Sequence, residues 1–314
     1  MHSSGDLLAD RRYGYAEASF QESDWEAAAD LARQALDLAP GFAAAWFLLG
    51  RAREAQLRTE PDGPDAAARR VEAVQAFENA RALDPEDRQG AGARLAMLGI
   101  GDPMAAISPG YVRALFDDYA IRFDRHLVRS LRYRAPELIH EAVRRAASLR
   151  LRPFRFEAAL DLGCGTGLAA ELFRPVCDTL AGIDLSPAML ERARSKRLYD
   201  DLAEGDLLPW LAARPAASVD LVLAADVFVY LGDLGPVFAE TARVLRPGGL
   251  FAFTVQAHPG EGVILGDDLR YAHGEAYLRA LAAEDGLALP LLEDVSTRED
   301  RGEPVPGRLA VLAR

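Results

Sequence analysis

The pattern of apolar and polar positions changes along the chain and divides it into two parts. Over the first hundred residues, alanine-rich stretches repeat their apolar positions with helical spacing, and strand-like alternation is almost absent. From Phe156 onward, short apolar runs bounded by turn residues alternate with stretches of helical spacing. The pattern therefore predicts an all-helical N-terminal part followed by an α/β part.

The helical part contains an internal repeat. Small or apolar positions recur at equal spacing, first as Ala28, Ala32, Ala35 and Pro40, then as Ala73, Phe77, Ala80 and Pro85. Between the two sets, Trp46, Leu49 and Gly50 give the pattern Trp-x-x-Leu-Gly. The stretch resembles two tetratricopeptide (TPR) repeats, the second enlarged by residues 58–65, with a capping helix at 91–98. Small residues would let the paired helices pack closely. The alternative is a plain alanine-rich helical hairpin.

A glycine- and proline-rich stretch at 99–109 predicts a linker, and two helices are expected after it at 109–122 and 126–145. Strands are predicted at 156–162, 179–184, 198–204, 220–225, 250–256, 287–295 and 308–312. Helices are predicted between them at 168–173, 187–195, 235–245 and 273–284.

Strands joined through helices require a parallel sheet with right-handed crossovers. The last two predicted strands are joined by a loop, which predicts an antiparallel final strand. We therefore expect a Rossmann-like α/β fold beside an all-α domain. The expected division is a helical repeat domain at 6–100, a linker with lid helices at 101–152, and the α/β domain at 153–314.

Composition and charge narrow the class of protein. Half of the 314 residues are hydrophobic, which is enough for a substantial core. The formal net charge of −12 argues against a nucleic-acid binder, which needs a basic surface. The cysteines, Cys164 and Cys177, make neither a disulfide framework nor a metal site. Without a membrane-length apolar run or a signal peptide, a cytoplasmic protein with no membrane partner is expected.

The most informative segment is residues 159–167, Ala-Leu-Asp-Leu-Gly-Cys-Gly-Thr-Gly. An apolar strand ends near Asp161 and runs into a turn with glycine at every second position from Gly163 to Gly167, where a ligand can approach the backbone closely. The dinucleotide fingerprint is Gly-x-Gly-x-x-Gly, but Leu168 stands where its third glycine would be. A carboxylate at Asp161 would also repel a pyrophosphate, whereas it suits a cationic ligand such as the amino group of a methionine moiety.

Three further acids end predicted strands. Asp184 ends the second, where an acid can accept hydrogen bonds from ribose hydroxyls. Asp206 ends the third and can accept from the exocyclic amine of adenine, while Leu207 covers the ring. Asp226 ends the fourth. Any one of these is more often a turn or helix-cap residue, but all of them in order predict a nucleotide-type site.

Together with the glycine turn, these acids make residues 111–314 resemble the class I S-adenosylmethionine (SAM) methyltransferases. The resemblance implies a seven-stranded sheet, SAM as the methyl donor, and a set of cofactor-binding residues. That set is Asp161, Gly163, Cys164, Gly165, Asp184, Leu185, Met189, Asp206, Leu207, Asp226, Tyr119 and Phe123. Asp161, Gly163 and Gly165 would line the methionine end. Asp184 and Leu185 would hold the ribose, and Asp206 and Leu207 would hold the adenine. Asp226 would lie near the transferred methyl, while core packing explains Met189 equally well.

Residues 115–126 resemble the N-terminal lid of small-molecule methyltransferases, in which an aromatic residue beside an aspartate folds over the cofactor. Tyr111, Tyr119, Phe123 and His126 are the candidates. An amphipathic helix whose aromatic residues face the core is the alternative. The C-terminal segments 269–274 and 303–307 resemble bacterial methyltransferases that also carry TPR repeats.

Methyl transfer from a sulfonium requires an aligned approach and an unprotonated nucleophile. A general base matters for an amine or hydroxyl acceptor, and less for a carboxylate or thiolate. The candidate catalytic residues are His258 and His273, as general bases, and Tyr271. Tyr271 and Tyr230 are expected to shape the acceptor pocket, and Arg270 to bind an acidic acceptor.

The sequence thus predicts an enzyme that transfers a methyl group from SAM to O, N or S of a small molecule and releases S-adenosylhomocysteine. One alternative is a protein or carrier-bound substrate recruited through the TPR helices. Those helices could instead cover the active site or mediate self-association. A non-catalytic SAM-binding scaffold is a further alternative.

Overall fold

The computed structural model describes residues 3–120, 132–300 and 302–314. The chain divides into two compact units, Met1–Tyr111 and Val112–Arg314. The division therefore falls inside the stretch 101–152, which the sequence assigns to the linker and lid helices.

The first unit is built from helices that pack against their neighbours in sequence. They are α1 (Leu7–Gln21), α2 (Trp25–Leu38), α3 (Ala43–Thr59), α4 (Ala66–Leu83) and α5 (Ala91–Met97), followed by a 3-10 turn at Pro103–Ala105. Helix α6 (Pro109–Tyr119) crosses the division between the units. Asp6 and Asp24 cap α1 and α2 through their side chains, as expected of aspartate before a first helical turn.

Small residues allow close packing between α3 and α4. A Cβ added to Gly50 would lie 2.6 Å from the Phe77 ring, so only glycine fits there without a shift. Phe77 is one of the recurring positions in the sequence, Gly50 ends the Trp-x-x-Leu-Gly pattern between the two sets, and the insertion at 58–65 lies across the connection between these helices. The helical architecture is as predicted, while the assignment to TPR repeats stays a prediction.

The second unit is a mixed sheet with helices on both faces. Its helices are α7 (Ala135–Leu149), α8 (Leu168–Phe173), α9 (Pro187–Lys196), α10 (Leu207–Ala212), α11 (Gly235–Val244) and α12 (Glu275–Glu284). Its strands are β1 (Phe156–Leu162), β2 (Cys177–Asp184), β3 (Asp201–Glu204), β4 (Val219–Ala224), β5 (Leu245–Ala257), β6 (Val263–Leu265), β7 (Tyr271–His273), β8 (Ala288–Val295), β9 (Glu299–Asp300), β10 (Glu303–Pro304) and β11 (Gly307–Ala313).

The strand order is β3-β2-β1-β4-β5-β11-β8, with β6 and β7 attached beside β5, while β9 and β10 form a separate pair. Strands β1 to β5 run parallel, and β11 is antiparallel to both of its neighbours. The Rossmann-like fold with an antiparallel last strand is therefore confirmed. Because β1 lies at the centre and β4 beside it, the loops after β1, β2 and β4 open at one edge of the sheet.

Alternation along β5 explains how the sheet is buried on both faces. Phe251 and Phe253 point to one face, where they pack against Phe238, and Leu250 and Ala252 point to the other. Burying one such phenylalanine stabilises the fold by about 1.5–3 kcal/mol. None of the described helices combines the length and the apolar character that a membrane span requires.

The main differences from the predicted elements are local. The helix expected at 273–284 begins at Glu275, because residues 271–273 form β7 and pair with β5. Helix α10 and the pairs β6–β7 and β9–β10 were not predicted. Of the helix expected at 126–145, residues 126–131 lie outside the described part of the chain, and the described helix begins at Ala135.

Candidate functional site

The turn after β1 has the backbone that its glycines predict. Gly163, Gly165 and Gly167 have φ angles of +61°, +54° and +86°, in the left-handed region that side chains disfavour. A Cβ on Gly163 would lie 2.6 Å from a methyl group of Val227, which follows β4. We call residues 163–167 the glycine loop; it passes close to the end of β4 and leads into α8.

Asp184 connects the glycine loop to the end of β2. The amide of Gly165 donates to Asp184 Oδ2 at 2.8 Å, and the amide of Ser186 donates to Oδ1 at 2.8 Å. Burial raises the pKa of Asp184 to about 6, although both amides oppose that rise. Each carboxylate oxygen keeps a further lone pair, so Asp184 can still accept from ligand hydroxyls.

Asp161 is buried and already paired. Its side chain is 1% exposed, and the hydroxyl of Tyr199 donates to Oδ2 at 2.6 Å. Burial raises the pKa of Asp161 to about 7, which the Tyr199 hydrogen bond opposes. Tyr199 was not predicted as a site residue, because it lies in a stretch whose pattern indicates only a strand. The predicted contact of Asp161 with the methionine end stays a prediction.

The residues expected to hold adenine differ in exposure. Asp206 is exposed and caps α10, with Oδ1 accepting from the Leu208 amide at 2.9 Å. Leu207 is half-buried. Met189 is completely buried in the first turns of α9, where it serves the core.

Cys164 and Leu185 are two further members of the predicted cofactor set. Cys164 is 6% exposed, and burial raises the pKa of its thiol well above the ordinary value, so the thiol stays protonated. Leu185 is half-buried at the end of β2.

Asp226 is held by a network that sequence reasoning missed. Its backbone is left-handed, with φ of +56°, a conformation that aspartate tolerates better than most residues. Oδ1 accepts from Thr254 Oγ1 at 2.9 Å, and Oδ2 accepts from Thr297 Oγ1 and Arg298 Nη1, both at 3.1 Å. Thr297 and Arg298 follow β8. The network therefore joins the ends of β4, β5 and β8, and the carboxylate of Asp226 is occupied within it.

The second half of α6 contacts the loop after β2. Arg113 Nε donates to the carbonyl oxygen of Leu185 at 3.2 Å. Ser186 Oγ donates to Asp117 Oδ1 at 2.5 Å, and the Ala188 amide lies 3.4 Å from the same oxygen. An arginine and an aspartate one turn apart thus hold this helix against the segment that carries Asp184.

Aromatic residues of α6 extend this contact towards β4. The Phe116 and Tyr230 rings meet edge to face, with centroids 5.5 Å apart. Tyr119, a predicted lid residue, is half-buried at the last position of α6. Tyr111, another predicted lid residue, lies in the first turn of α6, whereas Phe123 and His126 lie outside the described residues. A lid role for this segment stays a prediction.

His258 is engaged within its own loop. Its Nδ1 accepts from the Gly260 amide at 3.1 Å, so Nε2 carries the proton and donates to the Gly262 carbonyl oxygen at 3.0 Å. Both ring nitrogens thus hold the connection between β5 and β6, which leaves no nitrogen for proton abstraction in this conformation.

His273 and Tyr271 lie in β7 and are buried, at 0% and 1% exposure. His273 Nε2 lies 3.0 Å from the Leu231 carbonyl oxygen. Burial lowers the pKa of His273 to about 4, so its imidazole is neutral at physiological pH. The catalytic roles predicted for these residues and for His258 stay untested.

Arg270 is half-buried just before β7. Burial opposes its charge, but Tyr230, Asp268 and Asp226 outweigh burial and raise its pKa. Arg270 therefore stays cationic close to the ends of β4 and β5.

Residues 160–253 match the family model described as "Methyltransferase domain". The chain is similar to the malonyl-[acyl-carrier protein] O-methyltransferase of Serratia marcescens, with 33% identity over 124 residues, 40% of this chain and 48% of the relative. It is also similar to the trans-aconitate 2-methyltransferase of Rhizobium leguminosarum bv. trifolii, with 36% identity over 109 residues, 34% of this chain and 41% of the relative. The chain thus spans about half the length of these relatives or less.

Among solved structures, the fold is similar to a SAM-dependent methyltransferase from Mesorhizobium loti. The TM-score is 0.41 at 19% identity, covering 55% of this chain and 98% of that one. The segment matched by the family model contains the glycine loop, Asp184, Asp206 and Asp226. Residues 160–253 therefore form a methyltransferase domain.

Proposed function

We propose that the chain as a whole is a SAM-dependent methyltransferase acting on a small-molecule acceptor, with S-adenosylhomocysteine as the product. The observation that carries this proposal is the hydrogen bond from Gly165 to Asp184. It couples a left-handed glycine loop to the acid at the end of the neighbouring strand. Bare backbone beside a carboxylate with spare lone pairs fits the nucleoside and amino-acid parts of SAM.

Calorimetric titration with SAM tests this assignment. Replacing the carboxylate in Asp184→Asn removes charge-assisted hydrogen bonds, so SAM affinity should fall by about 10- to 100-fold. Asp178→Asn is the matched control, because Asp178 lies exposed on the same strand and pairs with Arg155. Equal affinity of wild type and Asp184→Asn would contradict the assignment.

We further propose that the acceptor is a carboxylate. When bound, SAM supplies a methyl group on a sulfonium that an acceptor oxygen can attack in line. A carboxylate is ionised at neutral pH and needs no base, which agrees with His258 and His273 being engaged or buried. Arg270 would attract and orient the anion, and positioning would supply most of the rate. Malonyl and trans-aconitate, in the names of the relatives, are both carboxylates.

A carrier-bound acceptor is the second candidate, favoured by the acyl-carrier protein in the name of one relative. The helical unit has hydrophobic cores of its own and could recruit such a carrier. Deleting residues 1–99 should then raise KM for the carrier-bound acid and leave KM for the free acid unchanged. Equal effects on both substrates would argue against recruitment. A chain that binds SAM but methylates no acid would instead support the scaffold alternative.

A further inference from the structure

The segment before β3 is fixed to its surroundings by several polar contacts. The Asp200 amide donates to the Leu180 carbonyl oxygen at 2.9 Å, and the Leu180 amide donates back to Asp200 Oδ2 at 2.7 Å. Arg174 Nη1 lies 2.5 Å from the same carboxylate oxygen. Tyr199, which directly precedes Asp200, is therefore carried on a backbone with little freedom to move.

The Tyr199 ring fills a space that glycines leave open. A Cβ on Gly182 in β2 would lie 2.9 Å from the ring, and a Cβ on Gly167 in the glycine loop would lie 3.1 Å from it. The ring thus lies against both the loop and the strand beside it. In this position the Tyr199 hydroxyl donates to Asp161 Oδ2 at 2.6 Å.

The hydrogen bond bears on the charge of Asp161. Burial raises the pKa of this carboxyl to about 7, the charge of Asp184 adds to the rise, and the Tyr199 hydroxyl opposes it. Burial also raises the pKa of Tyr199 well above its ordinary value, so its hydroxyl remains a donor. The titratable groups that act on Asp161 or feel its charge are Tyr199, Cys164, Asp184, Tyr133 and Cys177.

We propose that Tyr199 is a positioning residue of the cofactor site: its hydroxyl favours the ionised form of the buried Asp161, and that ionised form attracts the cationic amino end of SAM. This inference rests on the proposed function. It gives a role to a residue that carries none of the motifs in the sequence.

The first half of the proposal can be measured on the free protein. Infrared titration follows the band of the protonated carboxyl, which Asp161→Asn identifies by its loss. In Tyr199→Phe, the titration midpoint should rise by about one pH unit or more, because the carboxylate loses a charge-assisted hydrogen bond. An unchanged midpoint would overturn the proposal, whatever the protein binds.

The second half is measured by binding S-adenosylhomocysteine and 5′-methylthioadenosine, thioethers that differ in the amino-acid part. If the pKa of Asp161 rises by one unit, Tyr199→Phe should lower the affinity for S-adenosylhomocysteine about tenfold at pH 6 and about threefold at pH 7.5. Methylthioadenosine, which has no ammonium, should bind equally to both proteins. Equal losses for the two ligands would mean a merely structural role and overturn the proposal.

A double-mutant cycle separates the charge from the fold. In the Asp161→Asn background, Tyr199→Phe should not lower the affinity for S-adenosylhomocysteine any further, because residue 161 then carries no charge that the hydroxyl could stabilise. Tyr277→Phe is the matched control, since its hydroxyl donates to another carboxylate, Asp233, at 3.2 Å. It should leave both affinities unchanged. If wild type bound neither ligand, the proposed function would fail, and the infrared midpoint would still decide the role of Tyr199.

Discussion

Arg298 Nη1 lies 3.1 Å from Asp226 Oδ2, in an ion pair whose side chains are only 7% and 15% exposed. The pair closes the sheet edge where β4, β5 and β8 end. A charge buried in this way depends on its partner, because water cannot replace the lost contact.

Removing Arg298 should therefore destabilise the protein strongly. Arg298→Met leaves Asp226 buried without its ion-pair partner, and the free energy of unfolding should fall by about 3–5 kcal/mol in urea titrations. Arg308→Met is the control, because Arg308 is equally buried but its partner Asp294 is 80% exposed and can be solvated. That loss should stay near 1 kcal/mol. If both substitutions lowered the free energy of unfolding equally, burial of the ion pair would not determine the size of the loss.

Gly163 should tolerate no side chain. Gly163→Ala combines a left-handed φ with a Cβ 2.6 Å from Val227, so both stability and SAM affinity should fall. Gly248→Ala is the control, since its φ is +82° and nothing lies within 4 Å of the added Cβ. It should cost only the backbone strain, about 1–2 kcal/mol, with SAM affinity unchanged. Thermal melts and calorimetry measure the two effects, and unchanged SAM binding in Gly163→Ala would contradict the loop's role.

Stability should fall as the pH rises through the pKa values of Asp161 and Asp184. Asp161 and Asp184 have folded-state pKa values of about 7 and about 6, above the ordinary value of 3.8. The folded state therefore binds more protons than the unfolded state between pH 4 and pH 7, and this contribution to stability is lost as the pH rises. Asp161→Asn should raise the free energy of unfolding more at pH 8 than at pH 5. A mutational effect independent of pH would contradict the raised pKa.

Arg270 should govern binding of the acceptor. Arg270→Gln should raise KM for a carboxylate acceptor at least about tenfold with a smaller change in kcat, since a charge-assisted contact is lost. Arg270→Lys should recover part of the loss. Arg279→Gln, an exposed residue that pairs with Glu275 on α12, is the control. Steady-state kinetics that show the same KM for Arg270→Gln and wild type would remove Arg270 from the acceptor site.

Local patterns predicted the fold and the loop well, because their causes are local. Helical and strand spacing indicated that β1 to β5 run parallel. The left-handed turn follows from glycines that lie close together in the sequence. The partners of Asp161 and Asp226 could not be predicted in this way. Tyr199 lies 38 residues from Asp161, and Arg298 lies 72 residues from Asp226, so only tertiary folding brings them together.

The burial of His273 could not be predicted from the sequence either. His273 follows Arg-Tyr-Ala in a segment whose pattern suggested the start of a helix near a site. The structure pairs it with Ala257 of β5 and buries it. Burial depends on what packs above a residue, which spacing along the chain does not encode. The sequence therefore indicated where chemistry could lie but not which groups the fold would already engage.

The position of β11 between β5 and β8 has a consequence for the order of folding. Within the described residues, β8 pairs with β11 alone, whereas β1 to β5 pair among themselves. Thr297 and Arg298 follow β8, so they can reach Asp226 only after β11 has docked. Because distant pairings form late, we expect the glycine loop and Asp184 to assemble before this network. The end of β4, where the acceptor is expected, would then be the last part of the site to become rigid.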